Sequence, residues 1–282
     1  MIQQGQLAPV SVVIPCFNCG LTIKRAVVSV ALQSQLPAEV ILVDDASDQD
    51  TLRVLRELAD AYPGWVSVLR LEENRGAASA RNAGWALATQ PHLAFLDADD
   101  AWHPKKIEIQ YAYMRDHPDT VLSGHRHRVL AGRDARPDWS LGKWSLKSVK
   151  KWSFLLANQF ITPSAMLRSD IPHRFSEGRR YMEDRLLWLE IVCDGGQVAM
   201  LEVDLAAIYK MPYGAAGLSA NLWQMTRADV DNYRLLHATG RLSLLSTYAL
   251  MIFSLLKSLR RLGLLLTWRI RGNPIEAHDS RP

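Results

Sequence analysis

The chain has 282 residues, 48% of them apolar and 22% charged. That balance excludes a disordered or collagen-like chain and is enough for one large α/β domain with a sizeable core. The net charge of +4 is uneven, since residues 226–282 hold nine Lys/Arg against four Asp/Glu. A nucleic-acid binder carries its basic residues along a groove-facing element rather than in a tail, so no nucleic-acid partner is expected. Three cysteines, Cys16, Cys19 and Cys193, are too few for a disulfide framework and fit a reducing cytosol. Residues 1–15 lack a basic region followed by a long apolar stretch, so no signal peptide is read. The longest apolar-rich run, 242–256, has 15 residues and includes Ser, Thr and Tyr. That is short of the roughly 18 to 20 residues that cross a bilayer.

In chain order, residues 10–15 are β-branched and apolar, a buried first strand ended by Pro15. A helix is expected over 18–33, with Ala26, Val27, Val30 and Ala31 on one face. A second strand over 39–43 runs into Asp44-Asp45-Ala46-Ser47. A helix over 50–62 repeats Leu52, Leu55, Leu58 and Ala59 at helical spacing. A strand over 65–71, a helix over 77–88 and a strand over 92–96 follow, the last running into Asp97-Ala98-Asp99-Asp100. Strands alternating with helices specify βαβ units and a parallel sheet. Ligands of such sheets gather beyond the carboxyl ends of the strands. Four polar clusters, 16–20, 44–47, 74–82 and 97–100, fall there. After Asp100 the pattern is mixed: a helix over 105–115, an alternating strand over 121–130, and a polar, Trp-containing connection over 132–151. An amphipathic helix over 182–193, a strand over 198–209 and a basic helix over 242–270 complete the chain.

Asp97 and Asp99, one residue apart at a strand end, repel each other unless a cation sits beside them. A hard divalent ion bound by one or two carboxylates plus a diphosphate resolves that repulsion. A solvated acidic turn capping the next helix explains the same residues. Asp44 and Asp45 can accept from a base N–H or a ribose hydroxyl, or simply make a turn. Asn74-Arg75-Gly76-Ala77-Ala78, with Ala80-Arg81-Asn82, places small residues at a helix start where a phosphate can approach, with Arg75 and Arg81 as counter-charge. A glycine turn with solvent-facing arginines reads equally well. Cys16-Phe17-Asn18-Cys19 has the CxxC spacing of a redox site, but the rest of a thioredoxin-like fold is missing. His125-Arg126-His127 reads as an acceptor-facing or exposed strand face, with no further ligand cluster to complete a zinc site.

Together these clusters resemble the inverting family 2 glycosyltransferases of the GT-A fold. The matching pieces are Ser11 to Asn18, Val43 to Ser47, Asn74-Arg75-Gly76 through Ala80-Arg81-Asn82, and Phe95 to Asp100 with Trp102 and Pro104. The resemblance is specific over residues 8–110 and looser to about residue 219. It implies a Rossmann-like α/β domain, its mostly parallel central sheet flanked by helices. Residues 8–110 would form the donor half, 111–225 the acceptor half and 226–282 a helical, basic amphipathic tail. It implies transfer of a sugar from a nucleotide sugar, most commonly a uridine one, to an acceptor hydroxyl, by single displacement with inversion and with Mn²⁺ or Mg²⁺. Pro15, Phe17, Asn18, Asp44, Asp45, Asn74, Arg75, Gly76, Arg81, Asp97 and Ala98 then stand at donor-binding positions, and Asp97 and Asp99 at metal-binding ones. Glu183-Asp184 matches the family's carboxylate base, with Asp184 taking the acceptor proton and Glu183 supporting it. Two acids in a first helical turn also suit the helix dipole alone. Trp102 and Trp188 stand on the acceptor side. Tyr209, Lys210 and the glycine-rich stretch to Ser219 resemble a mobile loop over the diphosphate, although here no His follows Lys210. A sugar nucleotidyltransferase would need an early glycine-rich triphosphate loop, which 11–20 is not. A catalytically inactive glycan-binding or scaffold protein would have no use for the carboxylates.

In the tail, Met251, Ile252, Leu255, Leu256, Leu259 and Leu262 share one helical face, opposite Ser254, Lys257, Ser258 and Arg261. An apolar face backed by cations suits an anionic membrane surface, here expected through residues 242–271. Packing on the domain or on a second copy fits the same pattern. The chain is thus expected to lie on the cytoplasmic face of a membrane, with a lipid-linked or cell-surface glycan as acceptor.

Overall fold

The computed structural model describes residues 7–132, 134–210 and 222–270. Its first part alternates β1 (Ala8–Cys16), α1 (Ile23–Ala31), β2 (Pro37–Asp44), α2 (Gln49–Ala61), β3 (Val66–Arg70), α3 (Gly76–Leu87) and β4 (His92–Phe95). The four strands pair in parallel, in the order β3-β2-β1-β4. The apolar run of β1 buries both faces of the strand. Val10, Val12 and Ile14 join α1 and α2 in one core layer, while Val13 joins α3 in the other. Helix α3 lies close on β1 because Gly84 has no side chain there. A Cβ at that position would come 2.4 Å from Val13 Cγ1.

Beyond β4 the same sheet continues through β8 (Met166–Arg168), β6 (Thr120–Ala131), β9 (Gln197–Lys210) and β5 (Ala101–Trp102), with β7 (Leu146–Ser148) also on β9. Here β6 and β9 run in parallel, while β4–β8, β6–β8, β5–β9 and β7–β9 are antiparallel. Around this half pack α4 (Lys106–Asp116), α5 (Lys151–Leu156) and α6 (Glu183–Cys193), followed by a long helical pair, α7 (Leu222–Ala238) and α8 (Leu244–Ile270). Among the described residues, no helix is long and apolar enough to cross a membrane.

Several local readings change. The first helix starts at Ile23 rather than residue 18, because Asn18 takes a left-handed backbone, φ 47°, and holds a loop. The connection over 132–151 contains β7 and leads into α5 at Lys151. His125 does not lie on an exposed face. It is 1% exposed, turned inward where β6 shifts register against β9 around Arg126.

Candidate active site

The carboxyl ends of the parallel strands open onto a cleft of about 520 Å³. Pro15, Phe17 and Asn18 border it from the end of β1, Asp45 from β2, Ala77, Ala80 and Arg81 from α3, and Asp97, Ala98 and Asp99 from the end of β4. Cys16 and Cys19 also line it, as free thiols. Four strand-end segments meet here because β1–β4 are parallel and in register.

Asp45 organises the cleft wall. It is 3% exposed, and its two carboxylate oxygens accept from the backbone N–H groups of Arg75 and Gly76, each at 2.8 Å. Gly76 sits at φ 84°, a backbone that favours glycine. The Asn74 side chain donates to the Asp45 carbonyl at 3.3 Å. At the start of α3 a carboxylate thus takes the N–H groups of Arg75 and Gly76, while Ala77 and Ala80 border the cleft. Asp44 does not line the cleft. It is fully buried, accepting from the Ser47 N–H at 3.0 Å with the Arg70 guanidinium 3.6 Å away, and so shapes the turn from behind. Asn18 ties the opposite loop, accepting from the Asp48 N–H at 3.0 Å and donating its own N–H to the Ser47 hydroxyl at 3.1 Å. Phe17 is half exposed at the rim.

Arg81 connects the two halves of the chain. Its guanidinium is buried and donates to Asp97 Oδ1 at 2.8 Å and to Glu183 Oε1 at 3.0 Å. Burial works against its charge, but Asp97 and Glu183 outweigh that and raise its pKa further. Beside Glu183, Asp184 accepts from the Arg185 N–H at 2.7 Å and from the Thr162 hydroxyl at 3.4 Å. Burial pushes the Asp184 carboxyl up to about 6, and the Glu183 carboxylate acts in the same direction, against the Arg185 N–H and Arg81. The pair opens α6 behind Met182, whose left-handed backbone, φ 57°, turns the chain into the helix.

A metal would have to fit Asp97 and Asp99. Among the described residues no group of three or more His, Cys, Asp or Glu is arranged to hold one. Two carboxylates on a cleft rim do suit a hard divalent ion that draws its other ligands from phosphate oxygens and water.

Five expected residues remain to be placed. Trp102 and Trp188 do not face an acceptor, since both are wholly buried. Trp102 donates from its indole to the Pro163 carbonyl at 2.8 Å, and Trp188 packs edge-on against Phe175. Their bulk is worth more in the core than at a rim. Tyr209 donates its N–H to buried Asp100 at 3.1 Å, and its ring lies 3.5 Å below the Arg25 guanidinium. Lys210 ends β9, and Ser219 lies outside the described residues.

Sequence reasoning missed Arg25, which also donates to the Asp99 carbonyl and so ties the β4 turn to the end of β9. A lone arginine in a helix gives no signal of that. It also missed Glu177, which pairs with Arg75 at 2.8 Å and accepts from Asn82 at 3.3 Å. Contacts over about a hundred residues of sequence have no local pattern.

The strand order and the cleft beyond its parallel half define a Rossmann-like class of α/β domain, whose ligands gather beyond the strand ends. Residues 11–176 match the family model for glycosyl transferase family 2. The chain belongs to that family, and its α/β sheet flanked by helices has the GT-A arrangement. It is 28% identical over 223 residues to the UDP-Glc:α-D-GlcNAc-diphosphoundecaprenol β-1,3-glucosyltransferase WfgD of Escherichia coli, covering 79% of this chain and 84% of that one. It is 30% identical over 202 residues to the amylovoran biosynthesis glycosyltransferase AmsE of Erwinia amylovora, covering 70% and 73%. The chain spans 39% and 28% of the length of two other relatives. The Staphylococcus aureus TarS fragment 1–349 in complex with UDP-GlcNAc shares the fold, with a TM-score of 0.64 at 19% identity over 86% of this chain and 70% of that one.

Proposed function

We propose that this chain transfers a sugar from a nucleotide-sugar donor, a UDP-sugar, to a hydroxyl of a lipid-linked or cell-surface glycan, in one displacement with inversion. The observation that carries this is the Arg81 bridge. One buried guanidinium spans from Asp97 on the donor cleft to Glu183, the neighbour of Asp184, so donor carboxylate and base candidate stand on either side of one side chain.

In this reading Asp184 is the base. It takes the proton of the acceptor hydroxyl as that oxygen bonds to the anomeric carbon, while the bond from that carbon to the diphosphate oxygen breaks. A carboxyl held at about 6 is basic enough to accept that proton and mostly ionised at neutral pH. Asp45 and the loop it holds bound the donor's nucleotide end, and Pro15, Phe17 and Asn18 the opposite wall. Asp97 and Asp99 would hold Mn²⁺ or Mg²⁺ together with the diphosphate, and the ion would neutralise the departing nucleotide. Orientation of donor and acceptor across the cleft supplies much of the rate. The UDP-sugar and polyprenol-linked acceptor in the name of the E. coli relative, and the UDP-GlcNAc bound by TarS, support the donor and acceptor classes. Assembly of such glycans would place the chain on the cytoplasmic face of a membrane.

The test is a panel of UDP-sugars with Mn²⁺ or Mg²⁺, read by thermal stabilisation and by release of UDP, with and without EDTA. Metal-dependent stabilisation and UDP release are expected. If no nucleotide sugar gives either, the transferase reading fails and an inactive glycan-binding or scaffold role takes its place.

A further inference from the structure

Helix α8 is packed with its polar side inward. Ser254 is 1% exposed and donates to Asp229 at 2.6 Å. Ser258 shares a close hydroxyl contact with Thr226, and Thr247 is buried. The Lys257 ammonium lies 4.0 Å from Asp229 and 3.4 Å from the Leu156 carbonyl. Asp229 in turn holds Arg185 of α6 at 2.6 Å, so the helix is fastened through a buried polar network. At 100° per residue this anchoring leaves the other side of α8 outward. Leu245, Tyr248, Ile252, Leu256, Leu259 and Leu262 there are each at least half exposed. An amphipathic helix that shows its apolar stripe to solvent is the reverse of the ordinary arrangement.

On α5, which packs against α8, Trp152 and Leu156, one turn apart, are also exposed. Exposed basic residues stand beside them, Lys150 and Lys151 at the start of α5 and Arg260 on α8. From 244 to 270 the helix carries no Asp or Glu. A run of six large exposed apolar side chains on one side of a helix marks an interaction site.

We infer that the outward face of α8, with Trp152 and Leu156 of α5, lies flat on an anionic lipid surface, its apolar stripe in the headgroup–acyl boundary and its lysines and arginines on the phosphates. The charge pattern selects this occupant. A second copy meeting the same face would bring the same cations, with no acid on α8 to pair them. Lipid phosphates pair them, and the boundary region takes up an apolar stripe beside a cationic row. The inference rests on surface chemistry and stands apart from the transfer reaction.

The test is co-sedimentation of the full chain with vesicles of phosphatidylcholine alone or with 30 mol% phosphatidylglycerol, a composition of roughly physiological charge. Binding is expected to the anionic vesicles and to weaken steeply with salt. Lys150→Gln with Arg260→Gln should weaken it roughly thirtyfold. Leu245→Glu, Ile252→Glu and Leu256→Glu together should abolish it. These positions are exposed, so the variant should keep its far-UV spectrum and its thermal unfolding midpoint, which separates loss of docking from loss of fold. No binding to anionic vesicles, or binding that the triple variant retains, overturns the inference. So does a dimer in light scattering that the triple variant dissolves, which assigns the face to a second copy. Because the readout involves no sugar transfer, its failure leaves the transferase reading untouched, and the converse also holds.

Discussion

The buried carboxylates at the parallel strand ends and at the start of α6 are used in opposite ways. In the parallel half, Asp44 and Asp45 are each met by backbone N–H groups, and they hold loops at the strand ends in place. Beyond Asp100, Asp184 is met by one N–H and a distant hydroxyl, and stands beside another carboxylate. Acids surrounded by donors are spent on architecture. An acid starved of donors and crowded by like charge keeps an affinity for protons, which suits a base. Arg81 sits on the boundary, giving one arm to each half.

The sharpest way to break this comparison is Asp184→Asn. Transfer should fall by about 10³-fold, while stabilisation by the UDP-sugar stays within a few-fold of the native value. An equal loss of both would move Asp184 out of the base role. The same variant carries a stability signature. The folded carboxyl lies at about 6 and the unfolded one near the ordinary 3.8, so the native chain loses stability as pH rises through that window. Asp184→Asn should therefore be the more stable of the two at pH 7, by up to about 1 kcal/mol after solvent screening, and lose that advantage at pH 4.

Arg81→Met tests the bridge. It leaves Glu183 and Asp97 without their shared cation, and urea unfolding should show a loss of about 3 kcal/mol. A loss under about 0.5 kcal/mol, the scale of surface substitutions, would mean that the halves are held together without it. Gly84→Ala probes the parallel half alone. The new methyl would meet Val13 at 2.4 Å, so α3 must shift, at a cost of about 2 kcal/mol with donor binding weakened as the cleft wall moves. The smallest effect expected is from Glu183→Gln. Removing the like charge should move the acid limb of kcat/KM to lower pH, and a limb that stays put would show that burial alone sets the Asp184 value.

How much of this was legible depended on distance along the chain. The motif ending each parallel strand could be read because β-branched runs, turn residues and helical spacing are local signals, and parallel pairing brings their ends to one edge. Asp45 and Asp97 were visible in that way, whereas the Glu183-Asp184 pair was singled out only by the family resemblance. That Asp45 caps the start of α3, that Arg25 holds the β4 turn, and that Glu177 pairs with Arg75 were not visible, because the partners lie 30, 74 and 102 residues apart. Trp102 and Trp188 were misplaced for a related reason. A tryptophan reads the same at a rim and in a core until its neighbours are known.

The amphipathic period of α8 is likewise plain from its residues, and its composition alone shows an apolar face opposite a polar one. Periodicity cannot say which face turns inward. The buried Arg185–Asp229–Ser254 network decided that, because a charge pair taken out of water must be hydrogen-bonded on every side, and α8 supplies the hydroxyl that completes it. The amino-acid order thus determined the strands, the helices and the acids at their ends. Tertiary structure alone decided which acids are satisfied, which is left basic, and which side of the last helix faces outward.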